Sequence, residues 1–444
     1  MIIRATVLDT PDDPFAGGVL RAEDDCGILV EQAGVIGERG PFASVRADHP
    51  EEEVVDLRDG VLLPGLVDTH VHFPQVRVIG GLGMPLLDWL DECALPEEVR
   101  LRDVDYAREV ARDFMTGLVD AGTTTALVFG SHFAGAVDAM FEAADRWGLR
   151  ITAGLVTSDR ILPDPLLTTP ERAYEETAGL AARWHGKGRL RYAVTPRFSL
   201  SASEGILEAC AASLAALDGA WFTSHVNENL REIAEVGALF DGASYVDSYD
   251  RFGLLTVRSL LAHNVHPTDA ELATLAARGS AVAHCPTSNA ALGSGLFPLR
   301  RHVESGVHVA LGSDVGAGTG FSMLKEGLQA YFLQRLLGEQ GMPLTSTHLL
   351  WLATGAGARA LGLAEEIGDL SVGKQLDAVW VTPEAGDPLA VGLANARCAE
   401  DALSKVFALG TTSDVGGVWV GGEPITARGG PSRTGREPVG IRRS

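Results

Sequence analysis

Apolar runs and amphipathic segments alternate along the central region of the chain. Short apolar runs bounded by turn residues are typical of buried strands, whereas apolar residues at three- and four-residue intervals are typical of helices that face a core. An opening strand is predicted at residues 61–67, and seven more at residues 123–129, 150–157, 190–195, 221–226, 257–262, 280–283 and 307–311. Helices are predicted between them at residues 104–121, 134–147, 170–185, 203–217, 229–240, 267–278 and 298–305. Eight strands alternating with helices indicate an α/β fold, a (β/α)8 TIM-type barrel with reactive groups at the C-terminal strand ends.

Both ends of the chain have a different pattern, in which shorter apolar segments are separated by Gly, Pro and Asp turns. This pattern is typical of short antiparallel strands, predicted at residues 2–8, 27–30, 35–36, 53–57, 378–381 and 417–420. Neither end has enough apolar surface to fold alone, so we expect them to pair into one small domain. The predicted organisation is a small β-sandwich domain from residues 1–60 and 366–430, a barrel from residues 61–365, and a flexible tail at residues 431–444, rich in Gly, Arg and Pro.

Composition narrows the classes of function. The chain has 444 residues, 46% hydrophobic and 21% charged, which are ordinary globular values, and its formal net charge is −23. That charge argues against nucleic acid or an anionic membrane as the natural partner. No run approaches the length of a membrane span and no signal peptide is recognisable, so a cytoplasmic protein is expected. The five cysteines are scattered without a Cys-x-x-Cys pair and are expected to be reduced.

Metal-binding residue types fall at the predicted strand ends. His70 and His72 are one residue apart, and side chains on a strand alternate faces, so both imidazoles point the same way and can share an ion. His225, His263 and Asp314 end three further predicted strands, and a closed barrel brings those ends around one mouth. Three imidazoles and one carboxylate, from His70, His72, His225 and Asp314, suit Zn²⁺ well and Fe²⁺ tolerably.

A single metal ion is expected. The fourth predicted strand offers no lysine that could be carbamylated to bridge two ions. The lysines of the chain are Lys187, Lys325, Lys374 and Lys405, and none lies at a strand end.

Roles follow from these residue types. One catalytic ion lowers the pKa of its bound water towards roughly 7. Asp314 can accept the water's proton, and His263 can orient the nucleophile because four other residues supply the ligands. Glu228, three residues after His225, is placed to shuttle a proton to a substrate ring nitrogen; its alternative role is a first-turn helix carboxylate interacting with the helix dipole. The H-x-E and P-C-x-x-C signature of cytidine-type zinc deaminases is absent, which excludes that other fold.

These motifs resemble the amidohydrolase superfamily. The resemblance rests on the stretch 64–72 (PGLVDTHVH), on His225 and His263, and on Gly312-Ser313-Asp314. A narrower resemblance, to the members that deaminate guanine, rests on four more stretches, 73–75 (FPQ), 85–90 (PLLDWL), 195–201 (TPRFSLS) and 224–229 (SHVNEN). The stretches 284–289 (HCPTSN) and 314–319 (DVGAGT) fit it as well. The similarity extends from about residue 61 to about residue 363, with looser similarity in the terminal segments.

The resemblance implies hydrolytic deamination of guanine to xanthine and ammonia, with one zinc ion per subunit. It implies that Gln75, Arg197 and Phe198, together with His225 and Glu228, bind the purine. Guanine's carbonyl oxygen and ring nitrogens suit an amide and a guanidinium, and Phe198 offers a flat apolar contact.

Three further residues, Trp89, His132 and His284, have no single predicted role in the site. Trp89 is interpreted equally as part of the pocket closure or as a helix-face core aromatic. His284 is expected to have a structural or supporting role. His132 has only its strand-end position in its favour and is treated as background.

Two other readings remain open. Another one-metal amidohydrolase could act on a different amino-heterocycle, such as an oxidised guanine, an aminotriazine, or another purine or pyrimidine. A catalytically silent scaffold could instead use the barrel as a binding module, although such proteins usually lose metal ligands, whereas all four are present here. A homodimer is implied by the habit of the family alone.

Overall fold

A computed structural model describes residues 1–425. The strands are β1 Ile2–Asp9, β2 Arg21–Val30, β3 Ile36–Pro41, β4 Val54–Pro64, β5 Leu66–His72, β6 Thr123–Phe129, β7 Arg150–Gly154, β8 Val156–Thr157, β9 Leu190–Pro196, β10 Trp221–Val226, β11 Ser259–His263, β12 Ala281–His284, β13 His308–Leu311, β14 Ala378–Val381, β15 Val415–Val420 and β16 Glu423–Pro424. The tail predicted at residues 431–444 lies outside the described residues.

The helices lie between and after these strands. They are α1 Phe42–Asp48, α2 Leu86–Trp89, α3 Leu95–Arg100, α4 Val104–Asp120, α5 Ala134–Trp147, α6 Pro170–Trp184, α7 Glu204–Ala216, α8 Leu230–Leu239, α9 Asp247–Asp250, α10 Asp269–Arg278, α11 Pro286–Ala291, α12 Leu299–Glu304, α13 Met323–Leu336, α14 Ser346–Ala353, α15 Gly355–Ala360, α16 Pro388–Ala394 and α17 Ala399–Leu409. Within residues 1–425 none of them combines the length and apolar character that crossing a bilayer requires.

Eight parallel strands form a nearly closed barrel, which confirms the predicted fold class. Strands β5, β6, β7, β9, β10, β11, β12 and β13 pair in this order, and the short strand β8 pairs with β9. The first and last strand ends approach each other, since the Asp314 N–H donates to the His70 carbonyl and the His72 N–H to the Val315 carbonyl, both at 2.8 Å. Every residue of β6 and β10 is buried, as expected where a strand faces side chains inside the barrel and helices outside.

The opening strand differs from the prediction. Residues 61–64 belong to β4, which pairs with strands outside the barrel, and the barrel begins at Leu66. Gly65 separates the two strands at a crowded point, where an added Cβ would lie 2.3 Å from Thr124 Oγ1. Pro64 and Gly65 mark this break in the sequence, but the apolar residues on either side of them were interpreted as one strand. The residues next to the break are buried in both strands.

The two chain ends build one seven-stranded mixed sheet in the order β16-β15-β14-β4-β1-β2-β3. The pairing of both ends was predicted, but β1 and β4 pair in parallel, with Ile2 opposite Val54, whereas antiparallel strands were expected. The intervening β2, β3 and α1 supply the crossover that a parallel pair needs. A buried ion pair joins this sheet region to the barrel, with Arg150 Nε donating to Asp377 Oδ2 at 2.7 Å.

The seven predicted helices agree with α4, α5, α6, α7, α8, α10 and α12 within a few residues. Other helices were not predicted, among them α13. This helix of 14 residues follows the last barrel strand and supplies the helix of the eighth unit. Its buried face includes Glu326, Gly327 and Gln334, so apolar residues do not mark one stripe along it.

Candidate active site

Four predicted ligands meet at the barrel mouth. The Nε2 atom of His72 lies 3.2 Å from Nε2 of both His70 and His225, and Asp314 Oδ1 lies 3.3 Å from His70 Nε2 and 3.2 Å from His72 Nε2. All four donor atoms lie within 4.8 Å of one another and all four residues are buried. Bonds of about 2.0–2.1 Å to a tetrahedral ion place neighbouring ligand atoms about 3.3 Å apart. The spacing and the donor types therefore fit one ion such as Zn²⁺.

Hydrogen bonds behind the cluster fix which atoms face inward. The Nδ1–H group of His225 donates to the Arg197 carbonyl at 2.6 Å, which leaves Nε2 with a lone pair directed at the cluster. Ser288 Oγ donates to Asp314 Oδ2 at 2.6 Å, which leaves Oδ1 facing the imidazoles.

Burial favours the neutral form, which binds metal, at two of the three imidazoles, His70 and His225. It lowers the pKa of His70 to about 3, and it lowers that of His225 well below its ordinary value, with further lowering from the other imidazoles. Burial opposes the ionisation of Asp314, yet the neighbouring imidazoles of His263, His70 and His72 outweigh it and hold the Asp314 pKa well below the usual range.

Asp68 connects the segment that carries Asp314 to the strand that carries His70 and His72. It accepts hydrogen bonds from the N–H groups of Ser313 at 3.0 Å and His70 at 3.2 Å, and from the Ser313 hydroxyl. Gly312 allows the two chain segments to approach, because an added Cβ would lie 2.8 Å from the Cβ of His70. Sequence reasoning gave Asp68 no role of its own, although strand alternation places it on the same face as His70 and His72.

His263 and Glu228 lie side by side next to the cluster. His263 Nε2 is 3.3 Å from Glu228 Oε2 and 3.6 Å from Asp314 Oδ2, so it contacts both carboxylates. The hydroxyl of Ser294 donates to Glu228 Oε1 at 3.0 Å, and sequence reasoning did not identify Ser294. Burial, followed by the charge of Asp314, raises the pKa of Glu228 to about 8. A carboxyl group with such a pKa can both take up and release a proton near neutral pH.

A cavity opens beside Glu228. It has about 370 Å³ of space between atoms, including its open mouth, and the predicted purine-binding residues Gln75, Arg197 and Phe198 line it. Trp89 and Leu86 of α2 line it as well, together with Leu90, Glu232, Leu292 and Ala317. The structure thus brings the predicted metal-binding and purine-binding side chains to one cavity.

Glu98 of α3 lies behind the cavity wall and was missed by sequence reasoning. It accepts hydrogen bonds from Gln75 Nε2 at 2.8 Å and from Arg197 Nη1 at 2.6 Å and 2.9 Å. No spacing rule connects residues this far apart in the chain. The Leu-Pro-Glu-Glu sequence at positions 95–98 signals only an ordinary helix start.

Two other histidines considered from the sequence, His284 and His132, are not among the residues that line the cavity. The ring of His284 stacks on Phe297, with 4.2 Å between centroids, and neither ring nitrogen has a hydrogen-bond partner among the described residues. The Nδ1 atom of His132 lies 3.4 Å from Glu98 Oε2. His132, treated as background from its sequence position, therefore touches the carboxylate that holds Gln75 and Arg197.

A barrel that gathers three histidines and an aspartate at its C-terminal strand ends, beside a cavity lined by a buried glutamate, defines a metal-dependent hydrolase. The chain belongs to the amidohydrolase family, whose model matches residues 61–425.

Comparison with individual proteins finds similarity to guanine deaminases. The chain is 60% identical to a probable guanine deaminase of Deinococcus radiodurans, over 96% of this chain and 99% of that relative. The solved structure of E. coli guanine deaminase superimposes with a TM-score of 0.92 at 36% identity, covering 96% of this chain and 99% of that one. The guanine deaminase of C. acetobutylicum, solved with guanine in its active site, superimposes with a TM-score of 0.88 at 26% identity, with the same coverage.

Proposed function

We propose that the protein is a guanine deaminase, which hydrolyses guanine to xanthine and ammonia with one zinc ion. The observation that carries the proposal is the cavity in which Gln75, Arg197 and Phe198 adjoin the His-Asp cluster and Glu228. Similarity to guanine deaminases over nearly the whole chain supports it.

The metal would be held by His70, His72, His225 and Asp314, and Fe²⁺ is the alternative to Zn²⁺. When bound, such an ion lowers the pKa of water to roughly 7 and so supplies a nucleophile at neutral pH.

The proton transfers fall to this chain's carboxylates. Asp314 accepts a proton from the attacking water, and His263 holds that water in line by its contacts with Asp314 and Glu228. As the water oxygen attacks C2 of guanine, Glu228 delivers a proton to the neighbouring ring nitrogen. The bond from C2 to the amino nitrogen then breaks, and the amino group leaves as ammonia with the proton that Asp314 took up. The hydroxyl on C2 returns its remaining proton to Glu228 and becomes the second carbonyl oxygen of xanthine.

Recognition of guanine falls to the polar wall of the cavity. The guanidinium of Arg197 has donors beyond the one bound to Glu98 and can donate to the carbonyl oxygen of guanine. Gln75 can pair with the ring edge through the remaining hydrogen-bonding positions of its amide. Phe198 supplies apolar contact to the flat ring.

The test is to incubate the purified, zinc-loaded protein with guanine and to follow the loss of guanine absorbance together with ammonia release. Equal amounts of guanine consumed and ammonia formed are expected. Matched reactions with an oxidised guanine, an aminotriazine, adenine and cytosine test the other amino-heterocycles. Ammonia from one of these, and none from guanine, would overturn the proposal; absence of bound metal and of any turnover would favour the binding scaffold.

Assembly and location are further parts of the proposal. A homodimer accords with the habit of the family alone, and a cytoplasmic location is part of the same proposal. Light scattering on the purified protein tests the subunit number.

A further inference from the structure

Glu98 acts on the cavity only through other side chains. It is a buried residue, with a side chain 3% exposed, and it is not among the residues that line the cavity. Its carboxylate accepts from Gln75 and Arg197, the two polar side chains that we assign to purine binding. Any effect of Glu98 on a ligand must therefore pass through the orientation or the charge of these two side chains.

The amide of Gln75 is fixed at both ends. Its Nε2 donates to Glu98 at 2.8 Å, and its Oε1 accepts from the Gly316 N–H at 3.1 Å. Reversal of the amide would place oxygen against carboxylate and NH₂ against N–H, so one orientation is strongly preferred. Glu98 thereby determines which edge of the amide faces the cavity.

The positive charge of Arg197 is balanced by the carboxylate of Glu98. A guanidinium stays protonated in proteins, and alone in a buried wall it would favour an anionic ligand. Burial opposes the ionisation of Glu98, but Arg197, His132 and the Gln75 hydrogen bond outweigh it and hold the Glu98 pKa far below its ordinary value. The pair of Arg197 and Glu98 is therefore neutral in sum at physiological pH.

We propose that Glu98 is a positioning residue that makes the cavity selective for neutral purine rings and disfavours anionic ones. The inference rests on the proposed function, because it takes the ligand to be a purine. Xanthine loses a proton more readily than guanine, since its ring N–H groups adjoin two carbonyl groups. A wall without net charge therefore favours the substrate over the ionised product and assists product release.

The experiment compares the wild type with Glu98→Gln, Glu98→Asp and a matched control, Glu97→Gln. Glu97 precedes Glu98 in α3 but pairs with Arg100 at 2.8 Å and with Tyr106, away from the cavity. Equilibrium binding of xanthine is measured by calorimetry at several pH values spanning xanthine's ionisation, together with guanine kinetics and metal content.

Glu98→Gln is expected to lower kcat/KM for guanine about 100-fold through misplaced ligand contacts, with unchanged metal content. It should also bind xanthine more tightly than the wild type. The ratio of the xanthine affinity of Glu98→Gln to that of the wild type should grow as the pH rises and xanthine becomes anionic. Glu98→Asp keeps the charge, so it should lose activity but retain the wild-type pH dependence of xanthine binding. Glu97→Gln should match the wild type in both assays.

A pH-independent ratio of xanthine affinities between Glu98→Gln and the wild type would overturn the inference. So would unchanged guanine kinetics in an active Glu98→Gln enzyme. Failure of the proposed function has a different signature, which is a wild type that releases no ammonia from guanine. Because xanthine binding needs no turnover, the charge argument can be tested on a wild type that lacks activity but binds xanthine, and a wild type that binds no xanthine would overturn the inference.

Discussion

The backbone N–H of Asp314 donates to the carbonyl of His70 across 2.8 Å, which joins the end of the last barrel strand to that of the first. Both residues also contribute a donor atom to the candidate metal cluster. Assembly of the cluster and closure of the barrel are therefore the same structural event. Asp68 strengthens the junction by accepting hydrogen bonds from both segments.

Ser288→Ala should weaken metal binding without removing a ligand. The hydroxyl of Ser288 holds Asp314 Oδ2 at 2.6 Å and so directs Oδ1 at the three imidazoles. Loss of such a supporting hydrogen bond typically costs about 10–100-fold in metal affinity. Competition with a zinc-binding dye measures the affinity. Ser280→Ala is the control, because Ser280 is buried but donates to the Thr256 carbonyl; equal affinity in both variants would contradict the assigned role.

Glu228→Gln should keep the metal and lose turnover. The amide is close in size to the carboxyl group but cannot transfer a proton, and general acid–base catalysis contributes about 10²–10⁴-fold. Steady-state kinetics with guanine measure kcat, and elemental analysis of the same samples measures zinc per chain. A variant with near-native kcat and full metal content would remove the shuttle from the mechanism.

Arg197→Lys should impair purine binding while keeping the positive charge beside Glu98. A lysine cannot donate to Glu98 and to the ligand in the fixed geometry of a guanidinium. Loss of one hydrogen bond to a charged group costs about 1.5–3 kcal/mol, or about 10–150-fold in kcat/KM for guanine. Arg191→Lys is the control, since Arg191 lies in β9, the strand that ends immediately before Arg197, but contacts the Leu361 carbonyl and Glu366. Similar kinetics for the two variants would show that Arg197 does not bind the purine.

Local rules predicted the residues that the structure gathers at the mouth. Strand alternation put His70 and His72 on one face, and their position after an apolar run put them at a strand end. His225, His263 and Asp314 follow from the same rule, because a parallel barrel places all C-terminal strand ends at one mouth. These inferences need only local sequence and the barrel's symmetry.

The supporting contacts could not be read from local rules. Glu98, Ser294 and Ser288 reach their partners from loops or short helices whose path depends on packing of the finished barrel. Asp314 itself has a φ of 49°, a left-handed backbone conformation uncommon outside glycine, which no strand pattern signals. The break at Gly65 did have a local signal, the Pro64-Gly65 pair, but the apolar residues on both sides favoured a single strand.

Asp9→Asn should destabilise the mixed sheet in a pH-dependent way. Asp9 is fully buried and accepts hydrogen bonds from Arg21, Arg39 and the Leu370 N–H, which connect β1, β2 and β3 to the segment after α15. Burial opposes its ionisation, but the two guanidinium groups outweigh burial and keep the Asp9 pKa below its ordinary value. Removal of one partner from a buried ion pair costs about 3–5 kcal/mol.

The sign of the pH effect follows from that lowered pKa. The folded state holds the carboxylate proton more weakly than the unfolded chain, so the Asp9 contribution is complete above the unfolded pKa of about 3.9 and is lost as the pH falls below it. The difference in urea unfolding midpoint between the wild type and Asp9→Asn should therefore be largest at neutral pH and shrink in acid. Asp56→Asn, which removes an exposed pair with Arg58, should change the midpoint little. An Asp9→Asn difference that stays constant from neutral to acidic pH would show that the charge of Asp9 does not stabilise the fold.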